Sequence, residues 1–430
     1  MYKERNVGND IYDLAEKIFP ICRSITGNGV RETLKILQEQ CPMIDIKEVP
    51  SGTQVFDWTV PKEWNIREAY IEYEDGTRVI DFKDNNLHVL GYSIPVDRYV
   101  DKEELLKYIY VEEGQEDAIP YATSYYKERY GFCMSKKQRD NLKDGKYHMF
   151  IDSTLEDGYL TYGEAIFEGK SKKEILISTY ICHPSLANNE CSGPALATYL
   201  MKWVDNLKDR KYTYRFIIIP ETIGSITYLS KNYKYLKENV IAGFNLSCVG
   251  DDRTYSIVET RYGNTFTDKV LKNVLKFHYS EYEKYSYLCR GSDERQYNAP
   301  GIDLPVCSVC RSKYGMYPEY HTSLDDMNLV SPQGFQGSYE LMIKCFMTIE
   351  NNEIYKVNCL CEPQLGKRGL YPTLSKKDQY DGVYKLTNMI AYADGTNDLI
   401  DISNIIGIPV WEMIDNVTKL CDTRLFCRII

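Results

Sequence analysis

The stretch from Glu174 to Leu246 constrains the fold more than any other part of the chain, because apolar runs alternate there with helix-like segments. Three continuous apolar runs are predicted to form buried strands: residues 174–182, 214–219 and 241–246. Between them, residues 194–204 and about 225–237 are predicted to be helices, the first with apolar side chains at helical spacing. Apolar strands joined by helices indicate βαβ units around a buried, largely parallel sheet. The sequence therefore predicts an α/β fold.

Segments of a different character flank this stretch. Two helices are predicted near the start, at about 10–19 and 29–41, and short β-like pieces with turn signals fill residues 58–169. From residue 384 the pattern of three short helices and a terminal strand outlines a winged helix-turn-helix. We therefore predict an α/β domain made of residues 1–60 and 165–352, a β-rich insert at 61–164 and a winged helix at 353–430.

Composition and charge exclude several classes of protein. No apolar run is long enough to span a bilayer, the start lacks a secretory apolar region, and the 14 cysteines are scattered. A soluble, cytoplasmic protein with free thiols and no membrane partner is expected. The net charge of −10 argues against nucleic acid as a partner. Residues 380–430 carry seven acidic and four basic residues, so the winged helix is expected to pack or to bind a protein.

Two of the five histidines, His183 and His321, stand in unusual surroundings, whereas His88, His148 and His278 are predicted to be structural. His183 directly follows a predicted strand, at the edge where open α/β sheets bind ligands. Glu190 follows seven residues later at a helix entrance, and an imidazole with a carboxylate could hold one metal ion. The alternative is a polar loop with an exposed histidine.

Glu221 ends the next predicted strand in the same way. If the two strands are neighbours, Glu221 faces the same crevice as His183, and a carboxylate beside an activated water is what hydrolysis requires. Its alternative role is an acid near a helix N-terminus. Cys182 also borders His183, but adjacent strand residues point to opposite faces, so a thiol nucleophile is not expected.

Three further loops add polar groups. The segment Cys22-Arg-Ser-Ile-Thr-Gly-Asn-Gly29 is either a helix connection or a substrate loop in which Arg23 and Arg31 bind a carboxylate. A charged turn holds Asp293, Glu294 and Arg295, and Tyr320 precedes His321 in a loop that ends in two aspartates.

Together these motifs resemble the zinc-dependent aminopeptidases, whose fold also includes glutaminyl cyclases. More closely, the chain is similar to an uncharacterised bacterial aminopeptidase-like family with an inserted domain and a C-terminal winged helix, often associated with polysaccharide gene clusters. The motifs that carry the resemblance are Cys22-Arg-Ser-Ile-Thr-Gly27, Val55-Phe-Asp-Trp58, His183-Pro-Ser, Pro220-Glu-Thr-Ile-Gly-Ser225, Gly291-Ser-Asp-Glu-Arg-Gln296 and Glu319-Tyr-His-Thr-Ser-Leu-Asp-Asp326.

The resemblance implies a role for each matching residue. His183 and His321 match the metal histidines of the family, Glu221 matches the acid that serves as base or ligand, and Asp293 resembles an acid that orients a histidine or the substrate amine. With Glu190 as the third ligand, one Zn²⁺ ion is expected. Substrate contacts are expected from Arg23, Arg31, Glu294, Arg295 and Tyr320.

Two positions depart from the aminopeptidase pattern, because Asn189 and Ser247 stand where that pattern has aspartates. A neutral amide bridges two cations poorly, so a two-metal site is not expected. The expected activity is zinc-assisted hydrolysis of an amide bond in a small peptide or aminoacyl substrate. The alternatives are a metal-dependent deacylase of amino-sugar or glycan amides, and a noncatalytic binding protein derived from an aminopeptidase.

Overall fold

The computed structural model describes residues 6–370 and 380–429. The chain divides into two compact units: residues 1–267 with 283–339, and residues 268–282 with 340–430. These units cut the chain differently from the three predicted domains, whose boundaries stay a prediction. No helix among the described residues is long and apolar enough to cross a membrane.

Nineteen strands are found in the described ranges. In chain order they are β1 (Asp45–Pro50), β2 (Gln54–Val55), β3 (Trp58–Thr59), β4 (Glu63–Tyr73), β5 (Arg78–Asp81), β6 (Val96–Asp101), β7 (Ile109–Tyr110), β8 (Phe132–Cys133), β9 (Lys146–Glu156), β10 (Tyr159–Phe167), β11 (Glu174–Tyr180), β12 (Thr213–Ile219), β13 (Val240–Leu246), β14 (Ser256–Val258), β15 (Glu283–Tyr285), β16 (Val306–Cys310), β17 (Ile354–Val357), β18 (Asp394–Asp398) and β19 (Phe426–Arg428).

Twelve α-helices are found in the same ranges, together with short 3₁₀ turns. In chain order the helices are α1 (Gly8–Ile18), α2 (Asn28–Gln40), α3 (Lys102–Leu105), α4 (Lys136–Asp140), α5 (Ser192–Asn206), α6 (Ile223–Asn239), α7 (Phe266–His278), α8 (Glu294–Tyr297), α9 (Pro332–Asn351), α10 (Tyr380–Tyr392), α11 (Leu399–Ile406) and α12 (Val410–Asp422). One π-helical turn, Ala187–Cys191, directly precedes α5.

An eight-stranded sheet forms the core of the first unit, in the order β1-β10-β12-β11-β13-β16-β14-β15. Its four central strands, β12, β11, β13 and β16, are parallel to one another. β11 and β12 are buried along their whole length, as predicted for strands covered on both faces. The α/β class and the mainly parallel central sheet are thereby confirmed.

The segment between β3 and β10 builds a second sheet in the first unit. Its four strands are antiparallel, in the order β5-β4-β9-β6, and they enclose a core of their own that includes Ile71, Phe132 and Met149. β10 follows β9 after only two residues but pairs with β1 and β12 in the large sheet. The predicted β-rich insert therefore leaves the large sheet and returns to it through neighbouring strands.

The winged helix of the second unit contains α10, α11, α12 and a three-stranded sheet in the order β18-β17-β19. Asp398 caps α11 at its start, and Gly407 ends it in a left-handed conformation. Pro409 then precedes α12. The predicted winged helix is confirmed, with two strands, β17 and β18, that the sequence pattern did not show.

Candidate active site

His183 and Glu221 reach one crevice because their strands are neighbours. β11 and β12 are parallel, and Tyr180 at the end of one is in register with Ile219 at the end of the other. The chain turns out of the sheet after each of these strands, and His183 Nε2 lies 4.0 Å from Glu221 Oε2. The Glu221 side chain is 21% exposed. The structure therefore brings this predicted pair together at the carboxyl edge of the sheet.

The π-helical turn before α5 places Glu190 behind His183. Its Oε2 lies 2.8 Å from His183 Nδ1, and the Glu190 side chain is only 1% exposed. A Cβ atom at Gly193 would lie 2.1 Å from Thr179 Oγ1, so only glycine lets α5 pack this closely on β11. The wider π turn thus directs Glu190 toward His183 at a closely packed helix start. Such turns often occur at functional sites.

Asp325 fixes the π-helical turn to the loop that carries His321. Its carboxylate accepts the backbone N–H groups of Asn188 at 2.6 Å and Asn189 at 3.0 Å, and the Tyr317 hydroxyl at 2.8 Å. Asp325 is fully buried, and no role for it was predicted from the sequence. These hydrogen bonds link the π-helical turn directly to the loop that carries His321.

His321 has a strained backbone and an unpaired ring nitrogen. Its φ of 57° lies in the left-handed region that non-glycine residues rarely adopt. Tyr320 stacks on its ring at 3.9 Å, and the His183 ring lies 5.4 Å away between centroids. Nε2 of His321 is buried and has no hydrogen-bond partner among the described residues. Such an atom costs free energy unless a ligand binds it.

The inserted segment contributes two tyrosines that the sequence analysis did not identify. Tyr121 lies 4.9 Å from the His183 ring and 5.0 Å from the His321 ring, and its hydroxyl is 2.5 Å from that of Tyr125. The Tyr121 N–H donates to the His321 carbonyl at 2.8 Å, next to a β-bridge between Pro120 and Thr322. The only signal in the sequence is the density of tyrosine at 121, 125 and 126.

Cys182 corrects the expectation that it would point away from His183. Its Sγ lies 3.5 Å from His183 Nδ1, because β11 ends at Tyr180 and strand alternation no longer applies two residues later. Burial, followed by the charges of Glu190 and Glu221, raises the pKa of the Cys182 thiol well above its usual value. The thiol is therefore kept protonated, which does not favour a nucleophile.

Asp293 contacts the Glu221 loop rather than a histidine. Its Oδ1 accepts the Thr222 N–H at 2.8 Å and the Ser225 hydroxyl at 2.7 Å. Arg295 donates to the Thr222 hydroxyl. Thr222 has a φ of 67°, so these bonds hold the strained residue that follows Glu221.

Three predicted substrate contacts have other roles in the structure. Arg23 is buried and donates to the His183 carbonyl at 3.0 Å, with Nε 3.6 Å from Glu190. Glu294 is buried and accepts from the Tyr314 and Ser308 hydroxyls. The remaining side chain, Arg31, forms ion pairs with Glu48 and Glu63. Arg23 and Glu294 thus support the site from inside, and Arg31 is engaged with two carboxylates.

The other histidines have internal partners. His88 is buried, with Nδ1 2.8 Å from the Cys133 carbonyl. His148 contacts Glu72 and Asp97, which the sequence analysis did not anticipate because both lie on neighbouring strands. His278 contacts Lys344 through Nδ1.

Burial sets the protonation of the crevice. It lowers the pKa of both His183 and His321 to about 3, with smaller contributions from Arg23 and His183 respectively. It raises the pKa of Glu190 to about 8, and burial with the nearby Asp293 charge raises that of Glu221. The imidazoles are neutral, which is the form that binds metal ions.

The donor atoms at the crevice fit a divalent cation. Ligand atoms of Cys182, His183 and Glu190 lie within 4.8 Å of one another. The unpaired His321 Nε2 adds a second imidazole, and imidazole and carboxylate are ligand types that zinc prefers. A cation would also offset the mutual repulsion of the crowded acids, Glu221 among them.

The two departures from the aminopeptidase pattern are joined by one hydroxyl. The Tyr180 hydroxyl donates to Asn189 Oδ1 at 2.7 Å and lies 2.6 Å from Ser247 Oγ. Neutral groups, each hydrogen-bonded to the same Tyr180 hydroxyl, stand at these two positions in place of carboxylates. Neither position therefore supplies a carboxylate that could bridge two cations.

Two solved structures share this fold. A Clostridium acetobutylicum crystal structure, provisionally titled a peptidase, matches with a TM-score of 0.92 and 44% identity, over 98% of this chain and 97% of that one. A zinc aminopeptidase from Bacillus subtilis matches with a TM-score of 0.59 and 10% identity, over 81% of this chain and 96% of that one. At this identity the second match shows the fold alone.

Sequence comparison identifies the family. A Clostridium acetobutylicum protein, provisionally named a polysaccharide biosynthesis protein with aminopeptidase-like domain, is 48% identical over 401 residues, 92% of this chain and 91% of that protein. Residues 353–427 match a winged helix-turn-helix family. Residues 12–352 match the family described as a domain of unknown function, DUF4910. The resemblance read from the motifs is confirmed, and this chain, an aminopeptidase-like domain followed by a winged helix, belongs to the DUF4910 family.

Proposed function

We propose that this protein is a zinc-dependent hydrolase that cleaves an amide bond in a small peptide or aminoacyl substrate. The observation that carries the proposal is the meeting of His183, Glu221 and the unpaired His321 Nε2 at the carboxyl edge of the sheet. The fold of the Bacillus zinc aminopeptidase and the name of the Clostridium relative support it. Open α/β sheets also bind their ligands at this edge, where the parallel strands end.

The residues that would hold one zinc ion are His183, Glu190 and His321. Glu190 lies at Nδ1 of His183, whereas Glu221 lies at Nε2. The ring nitrogen that binds the metal therefore decides which carboxylate is the ligand. We assign the role of metal ligand to the buried Glu190. We assign the role of general base to the more exposed Glu221, because a base must reach the attacking water.

The chain's own groups can then perform the reaction in a simple order. Glu221 takes a proton from the attacking water and delivers it to the leaving amine. One phenol hydrogen is used between the Tyr121 and Tyr125 hydroxyls. We assign that hydrogen to Tyr125, so the Tyr121 hydroxyl can donate to the substrate carbonyl oxygen. Zinc, when bound, would polarise that carbonyl.

Two isosteric substitutions test these roles. Glu221→Gln should keep zinc, while turnover falls by about 10² to 10⁴, the contribution of a positioned general base. Glu190→Gln should lower zinc affinity, because an amide is a weak ligand. Zinc content is measured by elemental analysis, and turnover with aminoacyl amides and N-acyl amino sugars. If Glu221→Gln loses zinc and Glu190→Gln keeps it, the two roles are exchanged.

A noncatalytic binding protein is the second candidate. The observation in its favour is that Tyr180 ties Asn189 and Ser247 together where aminopeptidases carry acids. Purification without added metal separates the candidates, since a protein that only binds a partner has no need of stoichiometric zinc. Zinc-loaded protein that turns over no amide in the panel would favour the noncatalytic candidate.

A further inference from the structure

A cavity of about 820 Å³ opens next to the crevice, between the start of α2 and the antiparallel sheet of the insert. Two loops are shared by the cavity and the crevice. Ser185 lines the cavity and follows His183 by two residues, while Cys22 lines it and precedes Arg23, which binds the His183 carbonyl. The volume lies in the range of small-molecule sites. These two loops therefore connect the lining of the cavity to His183.

Amide and hydroxyl groups dominate the polar part of the lining. Asn28, Asn85, Asn86 and Thr154 all line the cavity. Asn86 is 9% exposed and donates from Nδ2 to the Pro20 carbonyl, yet its Oδ1 has no hydrogen-bond partner. A buried amide oxygen without a partner costs free energy that a ligand hydroxyl would recover.

Apolar side chains form the other part of the lining, namely Phe19, Ile21, Ile66 and Phe82. The cavity thus offers apolar surface together with both donors and acceptors. A sugar ring has the matching chemistry, because its C–H faces are apolar and its hydroxyls both donate and accept. A purely apolar ligand would leave the Asn86 amide oxygen unpaired.

The charges around the cavity disfavour an anionic ligand. Its two basic side chains are already paired, Arg67 with Asp152 and Lys83 with Glu68. Three lining acids, Glu32, Asp84 and Glu156, take part in no ion pair within the described part of the chain. Carboxylates accept hydrogen bonds from hydroxyls but repel phosphate and uronate groups.

We infer that this cavity binds a neutral sugar residue, so that the substrate is an amide carried by a sugar. The second half of this statement rests on the proposed amide hydrolysis, whereas sugar binding does not. The substrate class would then be N-acylated or aminoacylated saccharides, with the sugar between α2 and the insert and the amide at Glu221.

The binding test uses the full-length Glu221→Gln protein, which should not consume its ligand. Calorimetry and saturation-transfer NMR measure binding of N,N′-diacetylchitobiose, a neutral disaccharide, and of N-acetylglucosamine 1-phosphate. The neutral sugar should bind and the phosphate should bind at least about tenfold more weakly. Thr154→Trp, which fills the cavity, should weaken binding of the neutral sugar by about tenfold or more.

Two further variants keep the result interpretable. Asn28→Ala removes one amide from a solvent-exposed position and should also weaken the sugar, even if Thr154→Trp does not fold. Asn206→Ala, at the end of α5, removes an amide that is not part of the lining and should have no effect. No binding to the parent protein, equal binding by all variants, or tighter binding of the phosphate would overturn the inference.

The inference and the proposed function fail separately. If the protein hydrolyses amides but binds no sugar, the inference about the cavity is wrong and the proposed hydrolase stands. If it binds sugar but hydrolyses no amide, the cavity site stands and the proposed hydrolase is wrong.

Discussion

Removing the Tyr121 hydroxyl tests the contribution of the inserted segment to the chemistry. Tyr121→Phe keeps the ring that contacts His183 and His321 and deletes only the oxygen that lies 2.5 Å from the Tyr125 hydroxyl. Burial raises the pKa of Tyr121 well above its usual value, so the phenol remains a hydrogen-bond donor. The substitution therefore removes a donor without removing the wall of the crevice.

The expected cost differs between stability and turnover. One neutral hydrogen bond contributes about 0.5–1.5 kcal/mol to folding, so stability should change little. A donor aimed at the oxygen that becomes charged contributes more, and its loss typically lowers turnover by about 10² to 10³. Tyr121→Phe should therefore keep its fold and zinc content while losing most of its activity.

Tyr92→Phe is a matched control for this measurement. Tyr92 is buried, and its hydroxyl contacts Thr26 and the Lys62 carbonyl, with no contact to either crevice histidine. Thermal unfolding, zinc content and turnover are measured on both variants and the wild type. Equal turnover in Tyr121→Phe and wild type, or an equal loss in Tyr92→Phe, would refute the donor role.

Three other predictions concern stability and the winged helix. Arg215→Met should lower the free energy of unfolding in urea by about 3–5 kcal/mol, because it leaves the buried Glu174 carboxylate uncompensated; Arg67→Met, in an exposed pair, should cost far less. Burial lowers the pKa of His148, but the hydrogen bonds that it donates to two carboxylates raise it overall, so its pairs should stabilise the protein below about pH 6.5. This contribution to stability should vanish as the pH rises through the pKa of His148 in the folded protein. The free energies of unfolding of wild type and His148→Asn, measured from pH 5 to 9, would show this loss. The full chain should show no salt-sensitive binding to duplex DNA, because helix Val410–Asp422 is acidic. A gel-shift titration at several salt concentrations checks this.

The central sheet and the winged helix could be predicted because they depend on local pattern. Fully apolar strands are needed only where both faces of a sheet are covered, so the runs at β11 and β12 indicated the parallel core. Strand ends then located His183 and Glu221, because parallel neighbours end at one edge. Gly407 and Pro409 marked the helix ends in the tail for similarly local reasons.

Contacts between distant segments could not be predicted in the same way. Tyr121 reaches the histidines only because the insert pairs with the loop at Thr322, about two hundred residues later, and no spacing rule encodes that bridge. The assumption that placed Cys182 on the opposite face failed because the strand ended two residues earlier than the apolar run suggested. Glu294 is expected from the sequence to contact the substrate, yet it is buried and accepts hydrogen bonds from five donors of the protein itself.

Strain and unpaired polar atoms occur together in the loops of the crevice. Ser185, Thr222, Cys248 and His321 all have positive φ values, and each such residue costs about 1–3 kcal/mol. Buried polar atoms of Asn189, Glu190, Asp293 and His321 also have no hydrogen-bond partner among the described residues. A loop cluster selected for stability alone would replace such features, since single substitutions could relieve them. Their presence at the edge where parallel strands end is therefore best explained by a ligand that recovers the cost, and neutral imidazoles beside carboxyl groups support the proposal that this ligand is a cation.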